Sequence, residues 1–454
     1  VTETPGIIFQ KGQRPMLKLA QYPCYLMLCW LFLGAGNVMA AEDKQDVEQL
    51  QNRIQQLESE LQQTRQALAE AEKQATVKDQ QLAEAKADDA EIRFGPLRVG
   101  GAMRVNYAIG DYPETDGASR AVEDGGNFNM DTFRINLDYA DGPYLGKLEY
   151  RWYNGYHFLH TGWLGYQFDD KRQLQLGVNR APFGPGAYGV SKSWFFDQHY
   201  YVGLADDMDL GVKYHHETGN WKWDVAYYLA DEGSYQGSSS DSARFSYDVV
   251  DESGDGYEER NQVNLRGIYS FSMADIQTEL GMSVQYGELK SRGVQDDGDH
   301  YAGSLHMVNK WDNFTLATQM TYYKFDVDAR QPLGTDELVQ MGAYDFPSTL
   351  AAEAWLPAVS LSYYHKTTGI DWLDYVMPYA EYSVLMKTEG DFNNSELAAI
   401  GFAWGKGNWF SYVDLAASNG NEFIGGDTAF GDRLGANQDD DWQTRFNINF
   451  GYYF

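Results

Sequence analysis

Charged residues stand at the polar positions of two-residue alternations all along the C-terminal four fifths of this chain. Arg98, Arg104, Arg134, Lys147, Arg151, Lys213, Lys222, Arg266 and Arg445 alternate with mostly apolar or aromatic letters, as do Asp138, Glu149, Asp224, Glu279, Glu381 and Asp414. Strand side chains alternate between faces, so each set would gather on one side of a sheet. Fixed charges arranged in this way sort ions rather than make bonds. A ladder of arginine and lysine favours anions, whereas charges that pair across strands leave a wet surface of weak preference. Pairing is the reading preferred here. Arg180 and Lys192 flank a glycine-rich, aromatic stretch (181–208) that carries Phe183, Tyr188, Trp194, Phe195, Phe196, Tyr200 and Tyr201. Aromatics need a surface to pack on. The stretch is therefore expected to fold inward, with Arg180 and Lys192 at the narrowest point; packing on a neighbouring subunit is the alternative.

Bond-making chemistry has no constellation. No G-x-S-x-G, H-E-x-x-H or glycine-rich phosphate loop is present. The eight histidines show no metal spacing, and on a strand His215 and His216 point to opposite faces. "DESGDG" (251–256) offers Asp251, Ser253, Asp255 and Gly256 of a calcium loop, but Gln262 stands where a bidentate Glu is needed. The expectation is no catalytic residue, no cofactor and no metal, beyond weak calcium binding by surface carboxylates.

Those charged positions require strands. "WKWDVAYYL" sets Trp221, Trp223, Val225, Tyr227 and Leu229 against Lys222 and Asp224, and "IQTELGMSVQY" sets Ile276, Leu280, Met282, Val284 and Tyr286 against Gln277, Glu279 and Gln285. Sixteen such segments start near 97, 132, 144, 161, 172, 209, 221, 262, 274, 301, 313, 356, 375, 395, 409 and 442. Short turns ("ADGP", "DDKR", "ETGN", "SMAD", "KWDN", "TTGID", "GKGN") alternate with mostly longer, acidic connections such as "DVVDESGDGYEE". Short turns at one end, long loops at the other and an even strand count are the marks of a transmembrane barrel. In hydrocarbon every backbone N–H and C=O must pair within the protein, so a spanning sheet has to close. An apolar exterior around a polar interior also explains a mean hydropathy of -0.52. The fold expected for 92–454 is all-β, a 16-stranded antiparallel barrel.

The rest of the chain reads differently. A net charge of -31 argues against a nucleic-acid partner. Residues 1–15 precede a plausible start at Met16 and read as a mis-assigned start or a remnant. Residues 16–40 have a charged start, an apolar run from Tyr25 to Leu33 and a V-M-A ending, the pattern of a secretory signal peptide. The run is shorter than the about 20 residues of a membrane span. Both cysteines, Cys24 and Cys29, fall in it. In 44–90, Val47, Ile54, Leu61, Leu68, Ala75 and Leu82 recur at heptad position a, and Leu50, Leu57, Thr64, Ala71, Lys78 and Ala85 at d. That predicts a coiled coil roughly 60–70 Å long.

The last strand, "WQTRFNINFGYYF", places Phe446, Ile448 and Phe450 opposite Arg445, Asn447 and Asn449 and ends on Phe454. With this ending, residues 92–454 resemble a Gram-negative outer-membrane porin. "LQLGVNRAPFGPGAYGVSKSWFFDQ" (174–198) is similar to the strand-then-loop region of the phosphate-selective porin O/P group, and a coil ahead of the barrel resembles long-armed porins. The resemblance implies a passive channel for small hydrophilic solutes or ions, with phosphate or anion selectivity as the alternative. It implies the outer membrane with its lipopolysaccharide as location, a homotrimer, and Phe450, Tyr452 and Phe454 as the signal read by the barrel-assembly machinery. A coil in the periplasm opens another reading, a structural tether to peptidoglycan.

Overall fold

The structure, a computed structural model, describes residues 92–111, 126–425, 432–438 and 440–454. The segments 1–15, 16–40 and 44–90, and with them the signal peptide and coiled coil, lie outside the described residues. Sixteen strands form the wall. The first eight are β1 (Leu97–Gly110), β2 (Asn127–Asp141), β3 (Tyr144–Trp152), β4 (His157–Asp169), β5 (Arg172–Arg180), β6 (Met208–Thr218), β7 (Trp221–Asp231) and β8 (Tyr257–Met273). The second eight are β9 (Ile276–Ser291), β10 (Gly298–Trp311), β11 (Phe314–Asp326), β12 (Glu353–Tyr363), β13 (Tyr375–Lys387), β14 (Ser395–Lys406), β15 (Trp409–Ser418) and β16 (Gln443–Tyr453). Each pairs antiparallel with the next, and β16 returns to β1 with Ala102 opposite Tyr453 and Gly110 opposite Arg445. The sheet is closed, which leaves no unpaired edge.

The alternation sets which way each side chain points. On β9, Leu280, Met282, Val284 and Tyr286 are exposed, while Ser283 and Gln285 between them are buried. On β16, Ile448 and Tyr452 face out, and Arg445, Asn447 and Asn449 are buried. Leu164, Leu305 and Ile400 are more than 60% exposed, a surface that water would not tolerate at this extent and hydrocarbon would. No helix among the described residues is long and apolar enough to cross a membrane; the apolar surface belongs to the strands.

Closure explains the aromatic end. Phe454 N donates to Gly101 O at 3.0 Å and Gly101 N to Phe454 O at 2.8 Å, so the last residue is stitched to the first strand. A Cβ on Gly101 would lie 2.5 Å from Arg134 O and 2.6 Å from the Phe454 ring. Only glycine lets the terminal ring cross that seam.

All sixteen expected segments are strands. Several begin three to five residues earlier than the apolar pattern indicates: β2 at Asn127, β4 at His157, β8 at Tyr257, β10 at Gly298 and β12 at Glu353. Each of these enters from the long-loop end. There the ladder continues past the apolar band and the two-residue alternation fades. In β8 a bulge adds to this: the register slips between Arg260 and Val263, with Asn261 at φ 52°.

The long connection 327–352 is not simply loop. Leu338–Ala343 and Phe346–Ala351 make a hairpin, and Asp248–Val249 joins its edge as a second, three-stranded sheet. Its turn residues, Tyr344 and Asp345, adopt φ 54° and 66°. A Tyr-Asp pair is not the Asn-Gly or Asp-Gly signal such a turn usually shows, so the hairpin is silent in the sequence.

Candidate functional site: the barrel interior

The connection from β5 to β6 (181–207) enters the barrel and crosses it. Its glycines and short side chains let the backbone bond directly to the wall. Gly184 N donates to Ser283 Oγ (3.0 Å) on β9, Gln198 N to Ser383 Oγ (3.1 Å) on β13, and Trp194 N to Asp414 Oδ2 (3.1 Å) on β15. Ser191 Oγ (2.6 Å) and Lys192 N both donate to Glu381 on β13. A single helical turn, α1 (Gln198–Tyr201), is capped by Asp197, whose carboxylate accepts from His199 N (2.8 Å) and from Val190 N (2.8 Å). Gly189, at φ 61°, makes room for that carboxylate, since a Cβ there would meet it at 2.4 Å. Phe195, Val190, Tyr200 and Tyr201 are buried with Phe158, Phe245, Tyr247 and Met341 in one apolar cluster. Each fully buried aromatic contributes about 1.5–3 kcal/mol. The inward fold expected of this stretch is therefore present, and the aromatics pack on the chain's own interior.

Arg180 Nη2 reaches Asp206 Oδ1 at 2.5 Å, and Lys213 Nζ donates to Arg180 O at 2.7 Å. Lys192 is fixed beside Glu381 on the far wall, and burial lowers its ammonium pKa, partly offset by Glu381. Burial alone would raise the pKa of the Asp206 carboxyl; Arg180 and His160 outweigh it and hold the group below its ordinary range.

The charges on strands pair. Arg104 Nε lies 2.9 Å from Asp131. Glu149 takes Arg151 at 2.6 Å, Arg134 at 3.3 Å and His160 at 3.6 Å. Arg266 holds Asp224 at 2.7 Å, with His215 on the same carboxylate at 2.8 Å. Nearer the short turns, Arg98 and Lys147 share Asp138 at 3.2 and 3.5 Å, and Lys222 meets Glu279 at 3.3 Å. Asp414 accepts from Tyr379 Oη at 2.5 Å, and Arg445 donates to Phe423 O while its guanidinium stacks on Trp194 and Phe195. Most of the charge on these strands is internally answered.

A cavity of about 180 Å³ remains between the inward loop and the wall formed by β15, β16 and β1–β3. Arg104, Arg134 and Arg151 line it with Asp131 and Asp206. Tyrosines complete the lining, among them Tyr188, Tyr200, Tyr344 and Tyr412. Neither Arg180 nor Lys192 lines it; Arg180 acts one contact away, through Asp206. Asp131, His160, Asp206, Tyr344 and Tyr412 were not singled out from sequence, whereas Tyr188 and Tyr200 belong to the stretch expected to fold inward. Asp131 and His160 are out of step with the alternation of their strands: each sits at a register shift, opposite Arg104/Val105 and Glu149/Tyr150 respectively, so the period of two does not reveal them. Asp206 and Tyr344 lie in connections, which have no period to reveal them.

The acidic outer connections are also partly answered, by backbone. Asp345 accepts from Ser238 N and Ser239 N, and Glu252 from the amides of Ser240, Asp241 and Ser242, at 2.7–3.1 Å. Asp251 Oδ1 accepts from Gly254 N and Gly256 N, each at 2.8 Å. The "DESGDG" stretch is thus a self-bonded turn.

No family model and no curated protein matches the chain. Solved structures do. The outer-membrane channel DcaP of Acinetobacter baumannii superposes with a TM-score of 0.52 at 12% identity, over 79% of this chain and 97% of that one. OmpF of Salmonella typhi, in complex with daunomycin, gives 0.51 at 12%, over 80% and 100%. The anion-selective porin from Comamonas acidovorans gives 0.50 at 11%, over 79% and 99%. At these identities the likeness is one of fold: this chain has the 16-stranded transmembrane barrel of porins.

Proposed function

We propose that the protein is an outer-membrane porin, a passive water-filled channel for small hydrophilic solutes or ions. One observation carries the reading: a closed 16-stranded barrel, apolar outside, whose interior is lined by paired charges and crossed by a loop anchored to the opposite wall. Closure satisfies the backbone in lipid, sixteen strands leave room for an aqueous bore, and the loop narrows it. Pairing of most lumen charges favours general diffusion.

A second reading, anion preference with phosphate among the anions, has its own support. Around the cavity, Arg104, Arg134 and Arg151 face only Asp131 and Asp206 among the lining acids. Constrictions with one sign of charge in excess bias permeation. A tether to peptidoglycan through 44–90 needs no open bore. Planar-bilayer recording separates these readings: stepwise conductance supports the channel, a silent barrel supports the tether, and reversal potential in a salt gradient reports the ion preference. A three-stranded coil would suit a homotrimer, which chemical crosslinking with and without 44–90 would test.

A further inference from the structure

Burying a carboxylate is costly unless it is paired or holds a metal. Where the inward loop ends and the 232–256 connection packs on it, five acids come together: Asp207, Asp209, Glu232, Asp248 and Glu259. All are less than a tenth exposed. One guanidinium reaches Asp248 alone among them, and it is shared with two acids outside the group. Arg244 binds Asp231 at 2.8 Å and Asp248 at 3.0 Å, and Asp241 besides. Some oxygens find donors: Asp209 Oδ2 accepts from Gln262 Nε2 (2.7 Å), Glu232 Oε1 from Ser246 N (2.8 Å), and Glu259 Oε1 from Val249 N (2.9 Å).

Three oxygens find none. Asp207 Oδ1, Asp209 Oδ1 and Glu232 Oε2 are buried without any hydrogen-bond partner. Asp207, Asp209 and Asp248 each bring a carboxylate oxygen within 4.8 Å of the other two. Oxygens on one calcium ion, at about 2.3–2.6 Å each, lie no more than roughly 5 Å apart. A donor set made only of oxygen selects a hard cation. Magnesium keeps several waters and needs a near-octahedral shell, which a closed, carboxylate-dense pocket suits poorly.

We propose that Asp207, Asp209 and Asp248 bind one calcium ion, with Glu232 Oε2 turned toward the same site. The position gives the ion a task. Asp207 follows Asp206, which lines the cavity, and Asp248 follows Tyr247, which lines it too. Calcium there clamps together the two connections that narrow the bore. The inference does not depend on whether the barrel conducts.

The test uses the full chain, refolded in detergent and stripped with a chelator. Calcium at about 1 mM, the range of extracellular modules, raises the thermal midpoint of the wild type by ~3 °C or more. The D207N/D248N double variant loses that response, whereas an Asp251→Asn variant in the self-bonded turn keeps it. Terbium luminescence excited through nearby tyrosines gives a readout that needs no variant: calcium displaces one tightly held ion, and magnesium does so poorly. A wild type indifferent to calcium and chelator overturns the proposal, as does a calcium response that survives in D207N/D248N or terbium emission that calcium cannot displace.

Discussion

Two regions of the interior handle buried charge in opposite ways. On the β1–β4 wall, positive and negative groups alternate between neighbouring strands, and Glu149 alone engages Arg134, Arg151 and His160. Where the loops meet, five buried acids gather beside one arginine that pairs with Asp248 alone among them, and three of their oxygens have no donor. The wall is self-sufficient because register puts opposite charges side by side, as Asp138 sits opposite Arg98 on one neighbour and Lys147 on the other. The loop cluster has no register to enforce balance. Its surplus of one sign persists only if something outside the chain compensates it. Balanced charge is scaffold, and unbalanced buried charge points to a ligand.

Removing one acid should therefore act in opposite directions in the two places. Glu149→Ala strands two arginines, Arg134 and Arg151, in a buried site and should cost about 3–5 kcal/mol, measured by urea unfolding in lipid vesicles. A loss under about 1 kcal/mol would mean the wall is well hydrated and the contrast false. Asp207→Asn, in chelator, should instead raise stability, on the order of 1 kcal/mol or ~2–4 °C in a large domain. Destabilisation there without calcium would erase the distinction.

Arg104→Ala leaves Asp131 uncompensated at the cavity. It should shift the reversal potential toward cation preference, by a few-fold in permeability ratio. An unchanged potential would show that solutes do not pass this arginine. Asp206 sharpens the comparison by pH. Its folded pKa is depressed, so the stability it contributes is present above the unfolded value of about 3.9. That contribution is lost as pH falls through the unfolded value toward the folded one. The gap in urea midpoint between wild type and Asp206→Asn should accordingly shrink from pH 5 to pH 3. Lys222→Ala breaks a half-exposed pair with Glu279 and should cost no more than about 0.5–1 kcal/mol.

The wall was legible because the period of two survives in single strands. Ile448 and Phe450 against Asn447 and Asn449 give the facing of β16 without any knowledge of its neighbours. Where the period breaks, so does legibility: at the Asn261 bulge, at the Tyr344–Asp345 turn, and in the long connections. The calcium-like "DESGDG" is the instructive case. Its acids are close in sequence, and Asp251 is consumed by its own backbone. The acids of the loop cluster with an oxygen that lacks a donor come from 207, 209 and 232, which share no motif.

What the amino-acid sequence determined by itself was sidedness: which residues meet lipid, which meet the interior, and that the sheet must close, because alternation and backbone pairing are local demands that each strand states alone. Which charges meet across the bore, how the 181–207 segment is anchored, and where acids accumulate without partners were decided only when sixteen strands closed. Those contacts join residues up to about two hundred positions apart, such as Trp194 with Asp414. No short-range pattern encodes a distance that closure alone sets.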